Sequence, residues 1–115
     1  QEKRQTLTGQ HEGRTNVVAL ADVLYNEGLQ RETFAYTASR CLQLNRKLYQ
    51  LQEELYPRQF IRISKSYLVN LAKVEQIAPS FNGRLTLVLS GGVQLEVSRS
   101  YAPHFRKAIG MEGQR

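Results

Sequence analysis

The sequence predicts a mainly β fold of the β-rich α+β kind, with one short internal helix, a C-terminal helix and no helix-turn-helix. Three observations carry this. Short apolar runs bounded by turn formers recur along the chain, and Phe60 to Ile63 alternates at period two, the spacing of a strand with one buried face. Only one internal leucine stripe has helical spacing, Leu48, Leu51 and Leu55, and it stops at Pro57. Two clean alternations, Leu85, Leu87, Leu89 and Val93, Leu95, Val97, flank Gly91 and Gly92 like the arms of a hairpin.

Taken in order, residues 5 to 12 show a weak pattern. After Gly13, Val17 to Leu20 and Val23 to Tyr25 read as short strands separated by Ala21 and Asp22. Asn26, Glu27 and Gly28 are turn formers, expected to break the pattern. Thr33 to Thr37 is the next strand and Cys41 to Leu44 a short one, which leaves Arg31 in or beside a connecting loop. The apolar flanks of Cys41 predict a buried, inert thiol instead of a redox switch. The leucine stripe marks a helix over Lys47 to Tyr56 with Asn45 as its N-cap. The next segment, Phe60 to Ile63, alternates again, so no second helix stands nearby and this one is expected to brace the core. In the hairpin, a two-residue loop would set the apolar faces against Gln94 and Glu96. A three-residue loop, Ser90 to Gly92, sets Leu89 against Val93, Leu87 against Leu95 and Leu85 against Val97, and is predicted on that ground. Ser100 can cap a last helix with Pro103 in its first turn, Tyr101, Phe105, Ala108 and Ile109 as its apolar stripe, and Gly110 at its end.

At 115 residues the chain holds one domain, assigned to residues 5–111 with polar tails at 1–4 and 112–115. No apolar run approaches the roughly 20 residues of a membrane span, and no export signal opens the chain. One cysteine cannot form an internal disulfide, which fits a reducing cytoplasm. The first residue is not methionine, so the segment is expected to belong to a longer protein. Net charge is +6 and unevenly placed: seven basic against seven acidic residues up to position 57, nine against three beyond it. Such a bias suits a polyanion partner; on charge alone, a solvated basic face fits equally. Signs of catalysis are poor. Gly91 and Gly92 sit inside a hairpin and not in a phosphate loop. His11 and His104 have no second ligand at metal spacing, so no metal, cofactor or catalytic residue is assigned.

The informative stretch runs from Phe60 to Leu71, where Ser64, Lys65 and Ser66 interrupt an alternating run before apolar residues resume. A short turn presenting hydroxyls and a cation suits phosphate oxygens and purine acceptors. This pattern, Phe, any residue, Arg, a hydrophobic residue, a polar pair, Ser, an aromatic, two hydrophobics and Asn, resembles the LytTR-type DNA-binding domain. The strand from Lys73 to Ile77, the glycine hairpin and the run Val97 to Tyr101 fit the same family. The likeness is strong from Phe60 to Ile109 and loose over Val17 to Tyr56; Ser64 stands where the family often has His.

The resemblance implies an elongated β domain that puts loops into successive major grooves of double-stranded promoter DNA, at repeated sites bound by two copies, possible homodimers. It implies a response regulator output domain of a two-component system, fused to a regulatory domain. Carried over by position, the DNA-binding candidates are Arg31, Arg62, Ser64, Lys65, Ser66, Ser98 and Arg99. Each has a plainer role open to it. Arg31 can pair with Glu27 or Glu32, Arg62 alternates on a strand and points to an ion pair or a phosphate contact, and Ser66 can bond its own backbone. Tyr67 and Asn70 are expected to serve packing and backbone capping. Two other function classes remain open. A single-stranded nucleic-acid-binding β-module would need exposed aromatics, yet Phe34, Phe60, Tyr101 and Phe105 pattern as core. A protein-interaction module would use the basic face on an acidic partner.

Overall fold

Ten strands and two helices occupy residues 5–111, which a computed structural model of the protein describes; the tails assigned to 1–4 and 112–115 lie outside the described residues. Seven strands form one antiparallel sheet: β1 (Thr6–His11), β2 (Arg14–Ala19), β3 (Val23–Leu29), β4 (Glu32–Thr37), β5 (Cys41–Leu44), β6 (Phe60–Arg62) and β7 (Tyr67–Asn70), in the order β2-β1-β5-β4-β3-β7-β6. The remaining three, β8 (Val74–Pro79), β9 (Leu85–Leu89) and β10 (Gln94–Val97), form a second sheet. Helix α1 (Leu48–Leu55) links β5 to β6, and α2 (Ala102–Ala108) follows β10.

Period-two alternation sends the apolar side chains of the large sheet to two separate cores. On one face Leu7, Val18, Ala35, Leu42, Phe60 and Leu68 meet the buried Leu48, Leu51 and Leu55 of α1. On the other, Leu24, Ile61, Ile63 and Val69 meet Leu85, Leu87 and Leu89 of the small sheet and Phe105 of α2. The β6–β7 hairpin is therefore apolar on both faces, which accounts for its dense hydrophobic sequence. The longest strand has seven residues, about 24 Å at about 3.4 Å per residue. The molecule measures 47 × 32 × 26 Å along its principal axes.

The β9–β10 hairpin has the predicted register, Leu87 opposite Leu95 and Leu85 opposite Val97, and Leu89 N–H donates to Val93 O at 2.7 Å around Ser90 to Gly92. Gly91 and Gly92 take φ of 82° and 88°, which a side chain would resist. At the end of α2, Gly110 N–H donates to Lys107 O and Met111 N–H to Arg106 O, the paired bonds of a glycine-closed helix.

One weak stretch is filled in and four local expectations are corrected. Residues 6–11 form β1, whose weak pattern reflects Gly9 at an inward position. Asn26, Glu27 and Gly28 do not break the chain; they lie inside β3, with Asn26 buried and Gly28 facing Leu48. Cys41 is exposed, because Leu42 and Leu44 take the inward positions of β5. Phe34 is only half-buried, since Thr33 and Ala35 face the α1 core. The helix caps also move. Lys47 precedes α1, its N–H donating to the Gln50 side chain at 2.8 Å, and Tyr101 precedes α2, where the Ser98 carbonyl accepts from Tyr101 and Ala102. Among the described residues no helix is long and apolar enough to cross a membrane.

Gly9 marks where β1 approaches β5. A Cβ there would lie 2.8 Å from Gln43 O and 2.9 Å from Leu42 Cβ. Gly9→Ala is expected to lower stability by about 1–3 kcal/mol through overpacking, while Thr8→Ala, on the exposed side of the same strand, leaves it unchanged. Urea titration of the two variants measures the difference.

Candidate nucleic-acid interface

Three connections that are distant in sequence meet at one edge. The first is the two-residue turn Gln30–Arg31 between β3 and β4, closed by the Leu29–Glu32 pair, with Gln30 at φ 58°. The second is Ser64 to Ser66 between β6 and β7, closed by Ile63 N–H to Tyr67 O at 3.0 Å. The third is Ser98 to Ser100, between β10 and α2. Backbone bonds stitch them together: Gly28 N–H donates to Ser66 O at 2.8 Å and Ser98 N–H to Ile63 O at 2.9 Å. Sequence places these turns; only the sheet pairing and the contact between the two sheets bring them side by side.

Arg31, Lys65 and Arg99 are all exposed on this edge. Among the described residues none of the ion pairs involves them, so Arg31 is not held by Glu27 or Glu32. Arg62 corrects the expectation of an ion pair. Its Nη1 donates to Gln52 Oε1 of α1 at 2.8 Å, its Nε to Ser64 O at 2.7 Å and its Nη2 to Lys65 O at 2.6 Å. Position 62 shares a strand face with Phe60, on the α1 side, where the turn's carbonyls are the available acceptors. All three acceptors are neutral, so the guanidinium shapes the turn and still contributes its full positive charge to the edge. Self-capping of the turn falls to Ser64 and not Ser66: Ser64 Oγ accepts from Ser66 N–H and Tyr67 N–H, both at 3.1 Å. Ser98 Oγ lies 3.4 Å from Ser100 Oγ. Asn70 caps backbone as expected, accepting from Ala72 N–H at 3.1 Å and donating to Val23 O at 2.8 Å.

Behind the turns, on the sheet face away from α1, Tyr25 stacks on Tyr36 at 4.6 Å and meets Tyr67 edge-on at 5.6 Å. Tyr36 Oη donates to Glu27 at 2.8 Å. Burial, then that hydrogen bond, pushes the Tyr36 phenol far above its ordinary value. Burial followed by the Glu27 charge raises Tyr67, and burial followed by Tyr67 raises Tyr25. The three phenols stay neutral and form an aromatic floor beside the edge.

Residues that the sequence did not single out extend the edge in both directions. Lys47 and Tyr49, at the start of α1, line a hollow of about 230 Å³ with Arg31, Arg62 and Lys65. Beyond Ser98, the β8–β9 loop contributes Asn82 and Arg84 to a hollow of about 360 Å³ shared with Arg99 and Ser100. Arg84 keeps a 3.9 Å tie to Glu96. Phe81 in the same loop is 83% exposed. The charge split between the chain's halves is thus not a split in space, since Arg31 and Lys47 come from the neutral half. The signal for Phe81 is its place in Phe81-Asn82-Gly83, a turn between strands where a ring cannot reach either core. Among the described residues no group of three metal-ligating side chains occurs.

The sequence profile of the LytTr DNA-binding domain matches residues 13–110. The chain belongs to the LytTr DNA-binding domain family. DNA binding is the function this membership gives the domain. A solved LytTr DNA-binding domain of a putative methyl-accepting/DNA response regulator from Bacillus cereus superposes with a TM-score of 0.86 at 27% identity, covering 93% of this chain and 98% of that one. The sensory transduction protein LytT of Enterococcus faecalis is 27% identical over 95% of this chain and 45% of its own length. The transcriptional regulatory protein LytR of Staphylococcus aureus is 29% identical over 69% of this chain and 32% of its own length. This LytTr chain thus spans less than half of either regulator. The match takes in the segment before Phe60, over which the sequence likeness was loose. An HTH-type transcriptional regulator of Staphylococcus aureus, so named, is 28% identical over 94% of this chain; here α1 and α2 pack on different cores and form no helix-turn-helix.

The Arg62 brace separates structure from contact at this edge. Arg62→Lys keeps the charge but cannot fork to three acceptors, and is expected to cost about 1–2 kcal/mol for the hydrogen bonds lost. Lys65→Ala is expected to leave stability unchanged. Thermal unfolding of both variants, followed by circular dichroism, shows the contrast as a lower midpoint for Arg62→Lys alone.

Proposed function

We propose that this domain reads double-stranded promoter DNA sequence-specifically by placing its adjoining connections in successive major grooves, with Arg31, Lys65 and Arg99 as the readers. The observation that carries the reading is the stitched edge itself: three exposed cations on three short turns, held by backbone hydrogen bonds and free of acidic partners among the described residues. Arginine and lysine donate to guanine O6 and N7 in the major groove, and each good contact discriminates by about 1–3 kcal/mol.

Other residues of the edge have positioning roles in this reading. Arg62 supplies field while holding the turn, Ser64 fixes the turn's backbone, and the Ser66 and Ser98 hydroxyls suit phosphate oxygens. Two copies bind repeated half-sites, and in the full-length protein a regulatory domain controls access in the cytoplasm. No catalytic step, metal or cofactor enters this function.

Lys65→Ala and Arg99→Ala are each expected to weaken binding to a cognate duplex by about five- to a hundredfold with the thermal midpoint unchanged. Affinity of the wild type is expected to fall steeply between about 50 and 200 mM salt, as several phosphate contacts require. Fluorescence anisotropy with a duplex selected from random sequence measures both. Normal binding by the two variants sinks the assignment of readers. Stronger competition by the matching single strand than by the duplex favours a single-strand module, and no nucleic-acid binding at low salt favours a protein partner.

A further inference from the structure

The β8–β9 loop ends the edge with a phenyl ring. Phe81 is 83% exposed, more than the other large apolar side chains found at the surface of the described residues. Apolar side chains scattered singly over a surface are common; this one differs in how it is held and in what stands beside it. Ser80 N–H donates to Arg84 O at 2.9 Å and Arg84 N–H to Phe81 O at 3.1 Å, which closes the loop into a turn. Asn82 and Gly83 complete it at φ of 57° and 77°. Arg99 lies directly against this turn, because a Cβ placed on Gly83 would come within 3.2 Å of Arg99 Cγ. Arg84 and Arg99 are exposed and line the same hollow. The turn that carries the ring is thus closed against Arg99 and next to Arg84, in a place to which charge draws a polyanion.

We propose that Phe81 is a specificity-determining residue that packs its ring on the C5 methyl of a thymine, in the same major groove that Arg99 enters. This rests on the reading that Arg99 meets base edges there. Given that, the chemistry is narrow. The floor of the major groove offers hydrogen-bond acceptors, amino donors and one apolar group, the thymine methyl. A phenyl ring has no hydrogen bond to give, so the methyl is the partner whose contact removes apolar surface from water on both sides. The contact adds a preference for thymine near the base that Arg99 reads, one that hydrogen bonding alone does not supply.

The test replaces each thymine of the selected duplex, one at a time, with deoxyuridine, which lacks only the methyl. Binding of the wild type and of Phe81→Ala is measured on every duplex, with Arg99→Ala and the thermal midpoint of each variant as controls. One replacement is expected to weaken the wild type about fourfold, the factor that burying one methyl-sized group is worth. Phe81→Ala is expected to bind the parent duplex at least as weakly as that, to be insensitive to the same replacement, and to unfold at the wild-type midpoint. Overturning results are a Phe81→Ala loss that is equal on all duplexes, an unchanged affinity, or an early unfolding transition. If Arg99→Ala weakens binding and no thymine couples to Phe81, only the thymine contact fails. If Arg99→Ala binds normally, the groove reading fails as well.

Discussion

The β6–β7 hairpin, apolar on both faces, is the constraint from which the rest of the molecule follows. Phe60 and Leu68 point into the core under α1, while Ile61, Ile63 and Val69 point into the core under the small sheet. A one-residue slip in this hairpin would exchange the two sets and empty both cores at once, so its register is unusually well fixed. That rigidity passes directly to the turn it carries. Arg62 ties the turn to Gln52 of α1, and the carbonyl of Ile63 receives Ser98 N–H from the far sheet. The middle of the edge is thereby located relative to both layers, and little loop ordering remains to oppose association with a partner there.

Much of this was legible from the residues. The three-residue hairpin loop followed from one requirement, that apolar faces oppose each other, and the structure has that register. The single internal helix, its stop near Pro57 and the glycine end of α2 rested on equally local rules. The misses have a common cause: period-two reasoning weighs side chains one strand at a time, whereas their facing is decided across strands. Asn26 and Gly28 look like turn residues, yet pairing with β4 and β7 holds them extended. Cys41 has leucine neighbours and still faces outward. Gly9 contributes nothing to an apolar count and is there because β5 passes too close for a side chain. At the edge, Ser64, Lys65 and Arg99 could be picked out as a resemblance, but that Arg62 bonds only neutral acceptors depends on where α1 lies. Lys47 and Phe81 belong to elements whose proximity no local rule gives.

Electrostatics at the edge divide between display and support. Lys65 and Arg99 stand in solvent, where a charge is cheap to keep and easily screened. Arg62 is more enclosed, and its hydrogen bonds to two turn carbonyls orient peptide dipoles around it. The aromatic floor adds no charge of its own, since its phenols stay protonated. The surface therefore presents cations in front and a fixed cation behind them, with the Glu27 carboxylate held by Tyr36 in the aromatic floor, an arrangement that guides a polyanion to the cations.

The connections that form the edge are far apart along the chain and adjoin through two backbone hydrogen bonds, Gly28 to Ser66 within the large sheet and Ser98 to Ile63 between the two sheets. No fragment that lacks either sheet can assemble it, and partial opening of β10 or of the β3–β4 hairpin dissolves it. Folding and recognition are consequently a single linked equilibrium. On the proposed reading, bound DNA holds the whole β scaffold closed with a free energy that grows with the logarithm of free duplex over its dissociation constant, and a locally frayed chain loses the edge even when most of its secondary structure survives.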